Sequence, residues 1–256
     1  MKKFFLFFLF FFISYAKEVI YICDDAAQWP PFVFYENNKT VGALVDIYDK
    51  IFKDINLSYK LELIPWKRCT NMVKKYKFAK KYVIFPGLYS SKRAKVLYIS
   101  KPVYSTHQVI WYSKEKYSKD EIINKIKNNV NSLKICDVNG YNTQFYYTLL
   151  GVDKNKKINQ EATSQCAVLK KIATNRCDIM VASKEAVLGY ERIGKCDIPQ
   201  NVSYVPFKKL KTSKFRLFIS KDYPKAKELL YKINNALDKL DKSGEKEKII
   251  KKWIKD

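Results

Sequence analysis

Residues 18–66 read EVIYICDDAAQWPPFVFYENNKTVGALVDIYDKIFKDINLSYKLELIPW. Glu18 to Cys23 is a short, apolar, β-branched run, the pattern of a strand covered on both faces. A loop carrying Trp29, Pro30, Pro31 and Phe32 follows. Leu44, Ile47, Tyr48, Ile51, Phe52 and Ile55 then recur at spacings of three and four, which predicts an amphipathic helix. Tyr59 to Ile64 alternates and reads as a second strand, ending at Pro65-Trp66. Strand, helix and strand in that order predict a parallel pair with its crossover helix on one face.

The same alternation continues. A helix is expected from about Lys67 to Lys77 and a strand at Tyr82–Phe85, broken by Pro86-Gly87. Farther on, Leu133–Val138 reads as a strand, turned by Asn139-Gly140. Asn142 or Thr143 can cap a helix through Phe145, Tyr146 and Leu149. Val168, Leu169 and Ile172 mark another helix, Cys177–Ala182 a strand and Glu185–Ile193 a helix. Two α/β blocks emerge, roughly 18–106 and 115–208, and two β-rich stretches, Gln108–Tyr112 and Phe215–Ile219, read as paired crossings between them. Pro224 opens a helix with Ala226, Leu229, Leu230, Ile233, Leu237 and Leu240 on one side, and a short helix through Ile249, Ile250 and Trp253 ends the chain.

Met1-Lys2-Lys3, an apolar run from Phe4 to Ile13 and a Ser14-Tyr15-Ala16 end read as a signal peptide, residues 1–16. The run is shorter than the ~20 residues of a membrane-spanning helix. An exported chain is therefore expected, soluble once cleaved. Cys23, Cys69, Cys136, Cys166, Cys177 and Cys196 form an even set, which suits disulfides in an oxidising compartment. With no Cys-x-x-Cys and a single histidine, His107, no metal site and no cofactor are expected. The charge is strongly positive, with 49 Lys and Arg against 25 Asp and Glu; loss of Lys2 and Lys3 with the leader leaves 47 against 25, or +22. The lysines sit on the polar sides of apolar patterns throughout, so they read as a solvated surface, with no nucleic-acid partner.

In open α/β sheets ligands lie beyond the carboxyl ends of the strands. The residues there are Asp24, Asp25, Trp29 and Phe32 after the first strand, Trp66 and Arg68 after the second, and Gly87, Ser90, Ser91 and Arg93 after the third. The second block contributes Tyr141, Asn142 and Thr143, then Ser183 and Glu185. Aromatics for stacking and arginines able to fork onto a carboxylate would thus converge from two blocks. Asn142 and Thr143 can both cap their helix and present backbone N–H groups to an anion.

WPPF at 29–32, GALVDIYDKIF from 42, PWKRC at 65–69, YSSKRAKVLYISKPVY at 89–104, CDVNGYNTQFYY from 136, NRCDIMVAS from 175 and NNALDKLDKSGEKEKIIKKW from 234 occur in an order and spacing that resembles the bacterial extracellular solute-binding proteins of family 3. The resemblance spans nearly the whole exported chain. It implies an α/β, two-lobed type 2 periplasmic binding fold, each lobe a mostly parallel sheet flanked by helices, joined by two hinge strands. Lobe 1 would comprise 17–110 plus 216–256 and lobe 2 111–215. It implies a periplasmic monomer without enzymatic activity. Such a protein captures a small, carboxylate-bearing, amino-acid-like ligand and delivers it to the membrane permease of an ABC transporter. A dehydratase on the same fold and a ligand-reporting partner of a membrane receptor are the alternatives. Arg93 would hold the ligand carboxylate, assisted by the Asn142–Thr143 turn, with Trp29 packed on the ligand. Two departures stand out. Ser183 occupies the place where amino-acid binders carry a carboxylate, with Glu185 as a substitute, and Phe85, Pro86 and Leu88 replace small hydroxyl residues before the arginine. Within this layout we expect bridges Cys23–Cys69 and Cys136–Cys177, with Cys166–Cys196 remaining, all inside a lobe.

Overall fold

The computed structural model describes residues 18–254 except residue 211. The leader expected at 1–16 lies outside the described residues. The chain begins with β1 (Val19–Asp25), then a small hairpin of β2 (Phe34–Glu36) and β3 (Lys39–Val41), α1 (Ala43–Asp54) and β4 (Ser58–Ile64). β1 and β4 pair in parallel over seven residues, as strand–helix–strand patterning requires. Alternation along β1 divides lobe 1 into two layers. Ile20 and Ile22 point to the α1 side, packing with Leu44, Ile47, Ile51 and Phe52. Tyr21 and Cys23 point to the other, with Cys69, Val73, Phe85 and Phe218.

After β4 come α2 (Trp66–Lys74), α3 (Tyr76–Ala79), β5 (Ile84–Leu88), α4 (Ser91–Val96) and the long β6 (Leu97–Ser113). Lobe 2 contains α5 (Lys119–Asn128), β7 (Cys136–Val138), α6 (Gln144–Leu150), β8 (Asn159–Ala162), α7 (Gln165–Ala173), β9 (Ile179–Ser183), α8 (Lys184–Arg192) and β10 (Val202–Pro206). The chain returns through β11 (Thr212–Ser220) and closes with α9 (Ala226–Lys242) and α10 (Glu245–Trp253), which pack on α1. Ile179 and Val181 of β9 join one lobe-2 core with Ile110 and Tyr112. Met180 and Ala182 join another, with Val109 and Trp111.

β6 ties the lobes together. From Leu97 to His107 it pairs with β11; from Gln108 onward its neighbours are β9 and β10. β11 in turn lies between β6 and β5. One strand in each lobe therefore runs against the rest: β11 in lobe 1 and β6 in lobe 2. The stretches read from sequence as crossings belong to β6, which runs from one lobe into the other, and to β11, which returns to lobe 1; both are also interior strands with a neighbour on each side. Their largely apolar character, at residues 109–112 and 217–219, reflects that burial. We place the changeover at His107–Gln108 and in the return segment between β10 and β11.

The cysteines join in the expected pairs. Cys23–Cys69 ties β1 to α2, Cys136–Cys177 ties β7 to the start of β9, and Cys166–Cys196 ties α7 to the segment after α8. Among the described residues no helix is long and apolar enough to cross a membrane, and no cluster of His, Cys, Asp and Glu is suited to a metal ion.

Candidate functional site

The lobes are closed on one another. Trp66 Nε1 donates to the carbonyl of Gly140 at 3.1 Å, the Tyr141 hydroxyl to Asp25 Oδ2 at 3.0 Å, Asn142 Nδ2 to the carbonyl of Tyr89 at 3.1 Å, and the Tyr190 hydroxyl to the carbonyl of Gln28 at 2.6 Å. Each bond joins a lobe-1 loop or element end to lobe 2. Behind the last, Gly189 of α8 lies on Pro30 so closely that a Cβ there would fall 2.6 Å from the Pro30 carbonyl oxygen.

These contacts enclose a cavity between the strand ends of the two lobes. Of the residues expected from sequence, Trp29, Trp66, Arg93, Tyr141, Asn142, Thr143 and Ser183 line it, together with Asp24, Asp25 and Gly87. Five others lie elsewhere. Ser90 caps α4 and Ser91 is its first residue. Phe32 is fully buried in the lobe-1 core, its ring stacked on Tyr104 at 4.1 Å; the Trp29–Val33 bridge turns the loop so that Trp29 takes the cavity and Phe32 the core. Arg68 is exposed. On α2, Cys69, Thr70 and Val73 form the buried face, and helical geometry sends position 68 outward. Glu185 faces the strand changeover. Both its oxygens accept from the His107 backbone N–H at 3.0 Å, Oε1 lies 2.5 Å from His107 Nδ1, and Oε2 accepts from Ser183 Oγ at 2.8 Å.

The cavity also takes Tyr104, Gln108, Tyr146, Gln165 and Phe215. These sit within strands or at a helix start, not in the post-strand loops. A signal is present in β6, where polar Thr106 and Gln108 are buried on the same face as Tyr104 and Ile110.

Electrostatically the site is unusual for its buried charge. Arg93 lies in the first turn of α4, whose N-cap Ser90 accepts from the Arg93 backbone N–H. It is 7% exposed. Nη1 donates to the Leu88 carbonyl at 2.9 Å, and the guanidinium carbon lies 5.3–5.6 Å from the ring centres of Trp66, Phe85 and Phe218. Gly87 leaves room for it: a Cβ there would meet Nη1 at 2.9 Å. Burial alone draws Arg93 down to about 10, with no carboxylate charge opposing the shift. Across the site, desolvation pushes Asp24 up to about 8, and the Asp25 backbone N–H donated to its Oδ1 offsets only part of this. Burial also raises Asp25, against the hydrogen bonds from Ala27 N–H and the Tyr141 hydroxyl. Trp29 Nε1, a donor, and Gln165 Oε1, an acceptor, are buried at the cavity with no partner among the described residues. Such atoms cost about 1–3 kcal/mol each unless a ligand meets them.

Comparison with solved structures gives full-length matches to two-lobed proteins. An ancestral arginine-binding protein bound to glutamine aligns at TM-score 0.71 and 20% identity, covering 94% of this chain and 99% of that one. The substrate-binding protein of an amino acid ABC transporter aligns at 0.70 and 18%, covering 93% and 100%. A histidine kinase sensor domain with similarity to periplasmic binding proteins aligns at 0.74 and 17%, covering 93% and 96%. These likenesses establish the fold, the type 2 periplasmic binding architecture. No curated protein sequence matches the chain. The family model for bacterial extracellular solute-binding proteins matches residues 22–256, from the middle of β1 to the end of the chain, and the chain is a member of that family, family 3.

Proposed function

We propose that this protein captures a small zwitterionic, amino-acid-like molecule between its lobes in the periplasm and delivers it to the permease of an ABC transporter. The observation that carries this reading is Arg93, a buried guanidinium facing the cavity with no anion beside it among the described residues. A ligand carboxylate supplies that anion in the two-bond geometry a guanidinium favours. Asp24 and Asp25 lie in the same cavity and take over the ammonium-binding part that Ser183 cannot play. The charge of an incoming ammonium would favour ionised Asp24, whose proton is released to solvent, and leave a buried ion pair. Trp29 offers its ring edge and free N–H, and Gln165 its free carbonyl, to the remaining polar atoms of the ligand.

The mechanism is closure. Cavity residues come from both lobes, so a ligand completes its contacts only in the closed form and shifts the population toward it. The hydrogen bonds from Trp66, Tyr141, Asn142 and Tyr190 across the cleft are made in that form too, and the permease reads the closed shape. Binding needs no bond to be made or broken. The same closed form would suit a sensor partner, a reading supported by the likeness to a histidine kinase sensor domain.

Mass spectrometry of small molecules released from gently purified protein, followed by a thermal-shift screen of amino acids, dicarboxylates and short peptides, tests the reading. A single zwitterion that raises the melting temperature is the expected result. Stabilisation only by ligands lacking a carboxylate would end it, and turnover of a cyclic carboxylic acid would replace it with the dehydratase alternative.

A further inference from the structure

The chain's positive charge is unevenly placed. From Leu63 to Lys114 there is no Asp or Glu at all, while 12 of the 49 basic residues fall there, giving half of the net +24 in 52 of 256 residues. The densest part is KKYKFAKK at 74–81, the end of α2 and the whole of α3. Lys74, Lys75, Lys77, Lys80 and Lys81 are all exposed there. In their midst Phe78 is 81% exposed, the most exposed large apolar side chain among the described residues. Among the described residues, Lys81 is the one of these lysines with an acidic partner, Glu62. α4 continues the surface. The Arg93 guanidinium of α4 lies 5.6 Å from the ring centre of Trp66 at the start of α2, and Lys92 and Lys95 of α4 are exposed. The Lys221 ammonium is held on the carbonyls of Ala94 and Lys95 at the same helix.

We propose that this α2–α3–α4 face is a docking surface for an anionic lipid bilayer, with Phe78 inserted at the headgroup level and the surrounding lysines on lipid phosphates. Clusters of lysine gain affinity for anionic bilayers additively, and a neighbouring aromatic supplies the apolar anchor. Lysines, as hydrated point charges on flexible stems, suit a mobile array of phosphates better than a fixed carboxylate pattern on a protein. All three helices belong to lobe 1. Attachment there would hold the protein at the membrane and leave lobe 2 free to open and close.

The test is co-sedimentation of protein, expressed from the full sequence and purified from the periplasm, with vesicles of phosphatidylcholine alone or with about one-third phosphatidylglycerol. Binding is expected only to the anionic vesicles, and should be released between about 0.1 M and 0.5 M salt as screening grows. Phe78→Ser is expected to weaken it about tenfold. The combined Lys74→Gln, Lys75→Gln, Lys77→Gln and Lys80→Gln variant should lose it by about a hundredfold or more. A control with Lys119→Gln, Lys154→Gln, Lys170→Gln and Lys227→Gln, equal in charge, should retain most of it. Equal losses in the two lysine variants would reduce the effect to net charge and overturn the proposal. So would equal binding to both vesicle types, an unaffected Phe78→Ser variant, or membrane association that depends on a permease and is absent from pure lipid. Melting temperature and ligand affinity, unchanged in the variants, separate this outcome from any failure of the ligand site.

Discussion

Replacing Arg93 by methionine separates ligand binding from stability, because the two should move independently. The guanidinium is 7% exposed, and burial draws its pKa down from the ordinary arginine value to about 10, a fall of roughly two to three units. Each pKa unit corresponds to about 1.4 kcal/mol, so holding the charge in the empty site costs about 3 kcal/mol. Against that stand one hydrogen bond to Leu88, about 1 kcal/mol, and contacts with three rings, together about 1–2 kcal/mol. Methionine fills similar space and also packs well on aromatics. The ligand-free melting temperature of Arg93→Met should therefore stay within about 4 °C of the parent, a change of about 1 kcal/mol at this chain length. Affinity for the best carboxylate ligand, measured by titration calorimetry, should fall by about 2–5 kcal/mol, or roughly 30-fold to several thousand-fold. A loss of more than about 8 °C with affinity preserved would show Arg93 to be a structural residue and refute the reasoning.

Three further outcomes follow from the geometry. Gly189→Val puts a side chain against the Pro30 backbone and should hold the lobes apart; small-angle scattering should report a larger radius with ligand present, and affinity should drop at least about tenfold, whereas unchanged closure would contradict the contact. Asp24 keeps its proton in the folded, ligand-free chain up to about pH 8, while in the unfolded chain it releases it near its ordinary 3.8. Stability without ligand should thus decline by a few kcal/mol from about pH 4 to pH 8, and Asp24→Asn should flatten that decline in thermal melts. Replacing Cys166 and Cys196 together by serine opens a loop of 30 residues and should lower stability by about 2–4 kcal/mol in denaturant titrations, with ligand affinity little changed because neither cysteine lines the cavity.

Much of this arrangement is legible in the sequence because it follows from periodicity. The three-four spacing of α1 and the alternation in β4 fix a parallel unit, and the post-strand rule then leads to Trp29, Trp66, Arg93 and Tyr141. The rule fails where orientation within an element decides the outcome. Phe32 and Arg68 lie next to cavity residues in sequence, but a turn sends one inward to the core and helical rotation sends the other to solvent. Glu185 is near the site yet is occupied by His107 and Ser183. Tyr104, Gln108 and Phe215 are hidden for the opposite reason: they belong to strands that look like ordinary sheet, and only the pairing of β6 with β11 up to the changeover and with β9 beyond it makes their side chains into cavity wall.

The central place of β11 has a consequence for how the chain matures. Lobe 2 is a single insertion, contained between the changeover in β6 and residue 212, whereas lobe 1 needs β11 in the middle of its sheet and α9 and α10 over its face. A chain emerging amino end first can therefore complete lobe 2 while lobe 1 still lacks its inner strand. Its half-built sheet would wait, with the edges of β5 and β6 unpaired, until almost the last residues arrive.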